Sequence, residues 1–200
     1  MVAFLLVSNS SVLYNLDMNA NFPFLEREIL QDFASTEGLT NLVEILTHIS
    51  NNGYEKFSSY ISNNGISLPP KTSASILFHG SPFRLEELNS AISLGGQNEN
   101  KDQALVYASD DPNYAIFLAI LDIQSGSASV HTENRKIKLS VDKEFMDGES
   151  KFIDGYLYVV DGQNFQSVGN HEHTCSTKVT ILFAVKVTRQ DLTEPIQTKE

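Results

Sequence analysis

Apolar residues recur at helical spacing near the start of the chain. Leu25, Ile29 and Phe33 follow one another at intervals of four, and charged residues lie between them. This spacing places the three side chains on one face of a helix, so the pattern predicts an amphipathic helix over residues 24–35. Pro23 stands where proline is favoured, in the first helical turn.

Two further helices are predicted before residue 68. The second begins at a cap on Thr40 and is closed by Gly53, and the third runs from Tyr54 towards Asn64. The motif ISNNG occurs at 49–53 and again at 61–65, and we interpret the two copies as similar helix C-caps. Residues 1–68 are therefore predicted to form a mainly helical segment.

The pattern changes after Pro69-Pro70, because paired prolines block a helix and favour an extended connection. Short apolar runs separated by polar loops then predict strands at 74–79, 104–108, 136–141, 155–160 and 179–188. The stretch from Tyr114 to Ile123 is apolar almost all round, which predicts a buried helix after a cap at Asp110 or Asp111. Helices followed by strands predict an α+β protein, with a second segment over 71–200.

Composition limits the environment and the partners. The 200 residues carry 14 basic and 25 acidic side chains, a formal net charge of −11 that disfavours free nucleic acid and anionic membranes. Cys175 is the single cysteine, so nothing in the sequence requires an oxidising compartment or a structural zinc. The apolar run from Met1 to Val7 is too short for a membrane span and is predicted to be a buried strand. We expect a cytoplasmic protein.

Two predicted strands end in residues suited to a ligand pocket. The first ends in His79-Gly80, where the absence of a Cβ would let a ligand approach the backbone, and His79 would lie at the rim. The second, 28 residues later, carries Tyr107. Each residue alone has an ordinary structural explanation, a histidine satisfied by backbone or a core tyrosine. Their order and strand context together predict a pocket.

These motifs, LFHGS ending at Ser81 and VYAS ending at Ser109, resemble the first two motifs of the ADP-ribosyltransferases of the diphtheria-toxin and poly(ADP-ribose) polymerase type. That family is marked by a His, a Tyr and a Glu on three core strands. Glu172 matches the third residue and stands upstream of the last apolar run, which begins near Val179. The resemblance covers roughly the C-terminal two thirds of the chain. It implies that 71–200 is an NAD-binding domain, a split antiparallel β-sandwich with one or two packed helices.

The resemblance also implies a role for each matched residue. His79 would bind a hydroxyl of the adenosine ribose, and the Gly80 backbone would pair with the nicotinamide carboxamide. Tyr107 would stack on the nicotinamide ring, and Tyr114 could supply an opposing face, although core packing is the competing interpretation. Glu172 would hold the nicotinamide ribose and stabilise the positive charge that develops there as nicotinamide leaves.

Other residues enter through the same resemblance. Ser81 and Ser109 are expected near NAD, and Arg84 would pair with a pyrophosphate or form a helix-start salt bridge. The loop with Gly95-Gly96 stands where a family member places a lid. Gln163 is the alternative third residue if Glu172 is remote from the pocket. His171 and His173, which flank Glu172, would share one face of a strand, but no further ligands support a metal site.

Three functions fit this sequence. The first is an enzyme that transfers ADP-ribose from NAD to an unknown acceptor, of which a protein is the favoured kind. The second is an RNA 2′-phosphotransferase-like enzyme of the same fold, which the acidic charge disfavours. The third is a module that binds NAD or ADP-ribose without turnover. Whether Glu172 approaches His79 and Tyr107 separates the transferase from the binding module.

Overall fold

The structure, a computed structural model, describes residues 21–89, 105–122, 128–133, 136–148 and 152–199. The strand expected at Met1 to Val7 and the loop with Gly95-Gly96 lie outside these residues. The helices are α1 (Arg27–Glu37), α2 (Leu42–His48), α3 (Tyr54–Asn63), α4 (Pro112–Ala119) and α5 (Lys143–Asp147), with a π-helical turn at Ile49–Gly53 and a 3-10 turn at Arg189–Asp191.

The strands are β1 (Phe24–Leu25), β2 (Ile76–Ser81), β3 (Val106–Ser109), β4 (Ala128–Glu133), β5 (Lys136–Val141), β6 (Gly155–Asp161), β7 (Gln166–Gly169), β8 (Glu172–Cys175), β9 (Ile181–Val187) and β10 (Ile196–Thr198). A seven-stranded sheet has the order β1-β9-β6-β2-β3-β8-β7, and a three-stranded sheet has the order β10-β5-β4. Neighbouring strands are antiparallel except for the β1–β9 and β10–β5 pairs. The chain is α+β, as the pattern predicts.

The first predicted helix is present but starts later than expected. Phe24 and Leu25 form β1 and pair in parallel with Ala184 and Val185 of β9. The carbonyl of Pro23 also accepts the Ala184 N–H, at 3.0 Å. Sheet pairing therefore overrides the helical pattern at these residues, and α1 begins at Arg27.

The predicted ends of α2 are also wrong. Its cap is Asn41, whose side chain accepts the Glu44 N–H at 2.9 Å. Gly53 has φ of −87° and does not close the helix, because the chain continues through the π-helical turn into α3. A Cβ on Gly53 would lie 2.5 Å from the His48 ring, so this glycine makes room for a side chain of the preceding turn. Of the two ISNNG copies, only the second ends a helix: α3 stops at Asn63, and Gly65 follows with φ of 79°.

Helix α4 lies between the two sheets. Ala115, Ile116 and Ala119 join the buried cluster formed by α1–α3 and the strands β2, β6 and β9. Phe117 instead joins the cluster of the smaller sheet with Leu139. Phe57 of α3 packs against Phe183 of β9 with ring centroids 5.2 Å apart, so the N-terminal helices and the strand-rich segment share one core.

A second buried cluster covers the opposite face of the larger sheet and includes Leu77, Val106, Tyr158 and Cys175. Alternate residues of β2 and β6 thus face different clusters, as expected for strands buried on both sides. Among the described residues, no helix is long and apolar enough to cross a membrane.

Candidate functional site

The three residues singled out by their motifs lie on three neighbouring strands. His79 is on β2, Tyr107 is on β3 and Glu172 is the first residue of β8. Ser109 pairs with Phe78 on one side and with Glu172 on the other. Two strand spacings separate β2 from β8, so the backbone of Glu172 lies about 10 Å from that of β2.

The sequence placed Glu172 upstream of the last long apolar run, which agrees with the structure. Glu172 opens a separate short strand, β8. The last run forms β9, which lies on the far side of β6 and β2 from β8. Strand β8 is short and carries polar residues, EHTC, so its hydrophobic pattern is too weak to predict it.

His79 is held by the backbone of the next strand. Its Nδ1 lies 2.7 Å from the carbonyl oxygen of Tyr107. A carbonyl only accepts, so Nδ1 carries the proton and Nε2 is left as an acceptor in the neutral ring. Burial lowers the pKa of His79 below its usual value, against a smaller opposing effect of the Tyr107 hydrogen bond. The histidine is therefore neutral near pH 7.

The strand register separates the motif side chains by face. His79 alternates with Phe78 and Gly80, and its ring centroid lies 6.1 Å from that of Tyr158. Tyr107 and Glu172 fall on the opposite face, because Val106 and Ala108 point into the cluster of Leu77 and Tyr158. A ligand that contacts all three must lie across the junction of β2 and β3.

Strands β2 and β3 are paired over only a short length. The structure records one register pair between β2 and β3, Phe78 with Ser109. Beyond it, towards Gly80 and Tyr107, the His79 imidazole bonds the Tyr107 carbonyl. Strand β2 keeps six register pairs with β6 on its other side. At the motif residues, the two strands are thus joined through the His79 side chain.

Gly80 faces helix α4. A Cβ at this residue would stand 1.8 Å from the carbonyl oxygen of Ala115 and 2.9 Å from the nitrogen of Ala119. Gly155 on β6 is in the same situation, with the Ala119 carbonyl oxygen 2.0 Å from a Cβ. The missing Cβ of Gly80 therefore lets helix α4 approach the sheet. The sequence suggested instead that it would let a ligand approach.

Glu172 is hydrogen-bonded to Tyr114, which α4 brings to this face. Burial raises the pKa of Glu172, and the Tyr114 hydrogen bond partly offsets that rise. The pKa of Tyr114 is raised to about 12, first by burial and then by the charge and hydrogen bond of Glu172. Tyr114 stays protonated near pH 7 and donates to the carboxylate.

The remaining predicted residues have local partners. The Ser81 hydroxyl accepts the Phe83 N–H at 3.1 Å, and the buried Ser109 hydroxyl accepts the Asp111 N–H at 3.0 Å. Arg84 is exposed, and its guanidinium lies 4.0 Å from the centre of the Phe24 ring. Asp111 caps α4 by accepting the Asn113 N–H at 2.8 Å, which confirms one of the two predicted caps.

Tyr158 was not singled out by sequence. It is fully buried on β6, accepts the Leu85 N–H at 2.5 Å and donates to the Phe83 carbonyl at 3.2 Å. It thereby fixes the loop that follows the His79 motif. The only signal in the sequence is a tyrosine inside the apolar run GYLYVVD, which is equally typical of a core residue.

Gln163 lies at the opposite end of the paired strands β2 and β6 from His79 and Gly80. It follows Asp161, which pairs with Ile76 at the start of β2, three residues before His79. Its side-chain oxygen accepts the Thr72 hydroxyl at 2.6 Å. The structure does not bring Gln163 together with His79 and Tyr107.

Asp110 connects the two histidines beside Glu172. Its carboxylate lies 2.6 Å from His171 Nδ1 and 3.4 Å from His173 Nε2. No group of three or more His, Cys, Asp or Glu side chains in the described part of the chain is arranged to hold a metal ion.

The fold and the site define an α+β protein in which a neutral histidine, two tyrosines and a half-buried glutamate come from three adjacent strands and one helix. Comparison of the chain with protein-family models, with curated proteins and with solved structures finds no match.

Proposed function

We propose that this protein is an ADP-ribosyltransferase, which transfers ADP-ribose from NAD to an acceptor and releases nicotinamide. The supporting observation is that His79, Tyr107 and Glu172 lie on the adjacent strands β2, β3 and β8. The resemblance of LFHGS and VYAS requires such an arrangement of three strands, whereas the sequence alone left the location of Glu172 open.

His79 has the proton arrangement that its proposed role needs. With Nδ1 donating to the Tyr107 carbonyl, Nε2 can accept a hydrogen bond from a ribose hydroxyl. Because burial lowers the pKa of His79, the ring stays neutral near pH 7. It therefore adds no positive charge that would repel the positively charged ribose of the transition state. A bound NAD would span the β2–β3 junction, with His79 on one face of the sheet and Tyr107 and Glu172 on the other.

Glu172 supplies the fixed negative charge. Breaking the bond between the ribose and nicotinamide develops positive charge on the ribose, and a carboxylate held nearby lowers the energy of that state. Tyr114 donates to the carboxylate and so fixes its orientation. In this arrangement, the Tyr114 hydroxyl orients Glu172. This role is separate from the stacking on nicotinamide that the resemblance implies.

The proposal also covers the acceptor and the cellular location. A protein is the favoured acceptor, since the net charge of −11 repels a nucleic-acid backbone. The cytoplasm is the proposed location, because Cys175 is free and buried and no disulfide is needed.

Turnover of NAD tests this function. We expect the purified protein to release nicotinamide, and labelled NAD to reveal any modification of the protein itself. Glu172→Gln should lower the rate by about 10²–10³-fold, the effect of removing one electrostatic contact to a transition state. Gln163→Ala is the matched control and should retain the rate, because Gln163 lies at the other end of β2 and β6.

The possible outcomes separate the functions considered. NAD bound without nicotinamide release, even with added acceptors, would favour a binding module. A rate lost in Gln163→Ala but kept in Glu172→Gln would contradict the assignment of the third residue. No binding of NAD at all would overturn the proposal.

A further inference from the structure

Phe83, in the loop that follows β2, is a large aromatic residue that the fold leaves in solvent. It is 59% exposed, although Ser81 before it and Leu88 after it are buried. Leu88 forms a β-bridge with Val179, which ties the far end of the loop to the larger sheet. Single apolar side chains on a surface are common, so the exposure of Phe83 alone indicates no function. Phe83 differs from such residues because the backbone that carries it is fixed.

Two hydroxyl groups of buried residues hold the Phe83 backbone. Its N–H donates to the Ser81 hydroxyl at 3.1 Å, and its carbonyl accepts the Tyr158 hydroxyl at 3.2 Å. The same Tyr158 oxygen accepts the Leu85 N–H. Burial raises the pKa of Tyr158 to about 12, so this residue keeps the proton that it donates to Phe83. The exposed ring is therefore presented by a loop that is ordered before any ligand arrives.

This loop lies on the same face of the larger sheet as the His79 side chain. His79 and Tyr158 are register partners in the antiparallel pair of β2 and β6, and such partners point to one face. Their ring centroids are 6.1 Å apart. Leu85 packs against the buried cluster on that face, which contains Tyr158. Tyr158 thus contacts both His79 and the backbone of Phe83.

We propose that the adenine ring of NAD stacks on the exposed ring of Phe83. This inference rests on the proposed function, in which His79 binds a hydroxyl of the adenosine ribose. Adenine is bonded directly to that ribose, so it lies on the His79 face of the sheet, where Tyr158 holds the Phe83 loop. A planar base stacks readily on an aromatic side chain, and a ring on an ordered loop loses little freedom when it binds.

The stacking contact determines which nucleotides the site distinguishes. Nicotinamide mononucleotide lacks the adenosine half of NAD and gains nothing from Phe83, so the ring favours the whole dinucleotide. Phe83 has no polar group, and stacking depends little on the identity of the base. Nicotinamide hypoxanthine dinucleotide should therefore benefit from Phe83 as NAD does.

Calorimetric titration with three nucleotides tests this contact. Phe83→Ala should weaken the binding of NAD and of ADP-ribose by about 5- to 150-fold, the usual effect of losing a base–aromatic stack. It should leave the affinity for nicotinamide mononucleotide unchanged. Phe83→Tyr keeps the ring and should bind all three as wild type does. Met146→Ala, at a 43% exposed residue of α5, is the matched control and should also bind all three normally.

Fluorescence gives a second readout, because the sequence contains no tryptophan. Phe83→Trp introduces a single indole at the proposed contact, and a base that stacks on it should quench its emission. NAD and ADP-ribose should quench this variant, whereas nicotinamide mononucleotide should not. Met146→Trp is the control, and none of the three nucleotides should change its emission. Both residues are exposed, so these variants should melt at the same temperature as wild type.

The results separate failure of the stacking contact from failure of the proposed function. If wild-type protein binds NAD and Phe83→Ala binds it equally well, Phe83 does not hold adenine and the proposed function stands. The same conclusion follows if Phe83→Ala loses affinity for nicotinamide mononucleotide to the same extent as for NAD. If wild-type protein binds neither NAD nor ADP-ribose, the proposed function fails and the role of Phe83 fails with it.

Discussion

At the scale of single residues, Glu172 is better suited to chemistry than to stability. Burial raises its pKa, so the folded protein holds a proton on this carboxyl more tightly than the unfolded chain does. The ionised form, which the proposed reaction needs, is therefore favoured less in the folded state. Tyr114 offsets part of that penalty through its hydrogen bond.

Replacement of Glu172 by Gln should stabilise the fold while it removes activity. A carboxyl with a raised pKa contributes stability at low pH and loses it as pH rises above its usual value of 4.5. The variant lacks this loss, so its unfolding free energy relative to wild type should increase from pH 4 to pH 7. Urea unfolding across this range measures the difference. A variant that becomes relatively less stable as pH rises would contradict the burial of this charge.

Whether a site residue can be predicted from the sequence depends on the pattern of the residues around it. His79 and Gly80 stand out because they end an apolar strand, and Tyr107 stands out for the same reason. Glu172 required a family resemblance, since its own strand is short and polar. Tyr158 has no such signal, because it lies inside a core strand.

At the scale of elements, the contact between α4 and the larger sheet determines where Tyr114 lies. Gly80 on β2 and Gly155 on β6 both meet carbonyl oxygens of α4, at Ala115 and Ala119. With a side chain at either glycine the helix could not approach so closely. The spacing between helix and sheet therefore sets the reach from Tyr114 to Glu172.

Gly80→Ala should destabilise the protein and impair the site together. The new Cβ would lie 1.8 Å from a backbone oxygen, so β2 and α4 must separate. We expect a loss of about 1–3 kcal/mol in the free energy of unfolding, typical of overpacking, with a fall in NAD turnover.

Gly38→Ala is the control, since nothing lies within 4 Å of that glycine and only its φ of 70° is penalised. Urea unfolding of both variants gives the comparison. NAD turnover in Gly38→Ala should match wild type. If Gly80→Ala proved as stable and as active as wild type, α4 would not depend on the missing Cβ.

Elements with a strong apolar pattern are predicted well. The run at 136–141 is confirmed as β5, and those at 155–160 and 179–188 contain β6 and β9 with shifts of one or two residues. The buried helix after an Asp cap is confirmed, but α4 ends at Ala119, before the predicted end at Ile123, and Leu121 instead forms a β-bridge with Phe152. The helix start at Phe24 fails because pairing with β9 is a long-range contact that local periodicity does not report.

At the scale of the whole molecule, the connection after Pro69-Pro70 is anchored by one buried carboxylate. Asp161, 1% exposed at the end of β6, accepts hydrogen bonds from the backbone N–H groups of Thr72, Ser73 and Gln163. Burial acts to raise the pKa of Asp161, but these hydrogen bonds outweigh it and hold the pKa below 3.8. The helical segment and β2 are thus joined by a segment fixed to β6.

Asp161→Asn should destabilise the protein by about 2 kcal/mol or more near pH 7, because an amide replaces a charged acceptor of several hydrogen bonds. A carboxyl with a lowered pKa contributes stability above its usual value of 3.8 and loses it as pH falls through the folded pKa. The difference from wild type should therefore shrink below pH 4 in urea unfolding.

Asp154→Asn is the control for this prediction. Asp154 is an exposed carboxylate 2.7 Å from Lys186, and its replacement should change stability little. Equal effects of the two variants at pH 7 would show that Asp161 does not anchor the connection.

Calorimetric titration of NAD against wild type, His79→Ala and Glu172→Gln is the most direct test that β2, β3 and β8 form one NAD site. We predict that wild type binds NAD, that His79→Ala weakens binding at least tenfold, and that Glu172→Gln binds NAD although it does not cleave it. Unchanged affinity in His79→Ala, or no binding by the wild-type protein, would contradict the account.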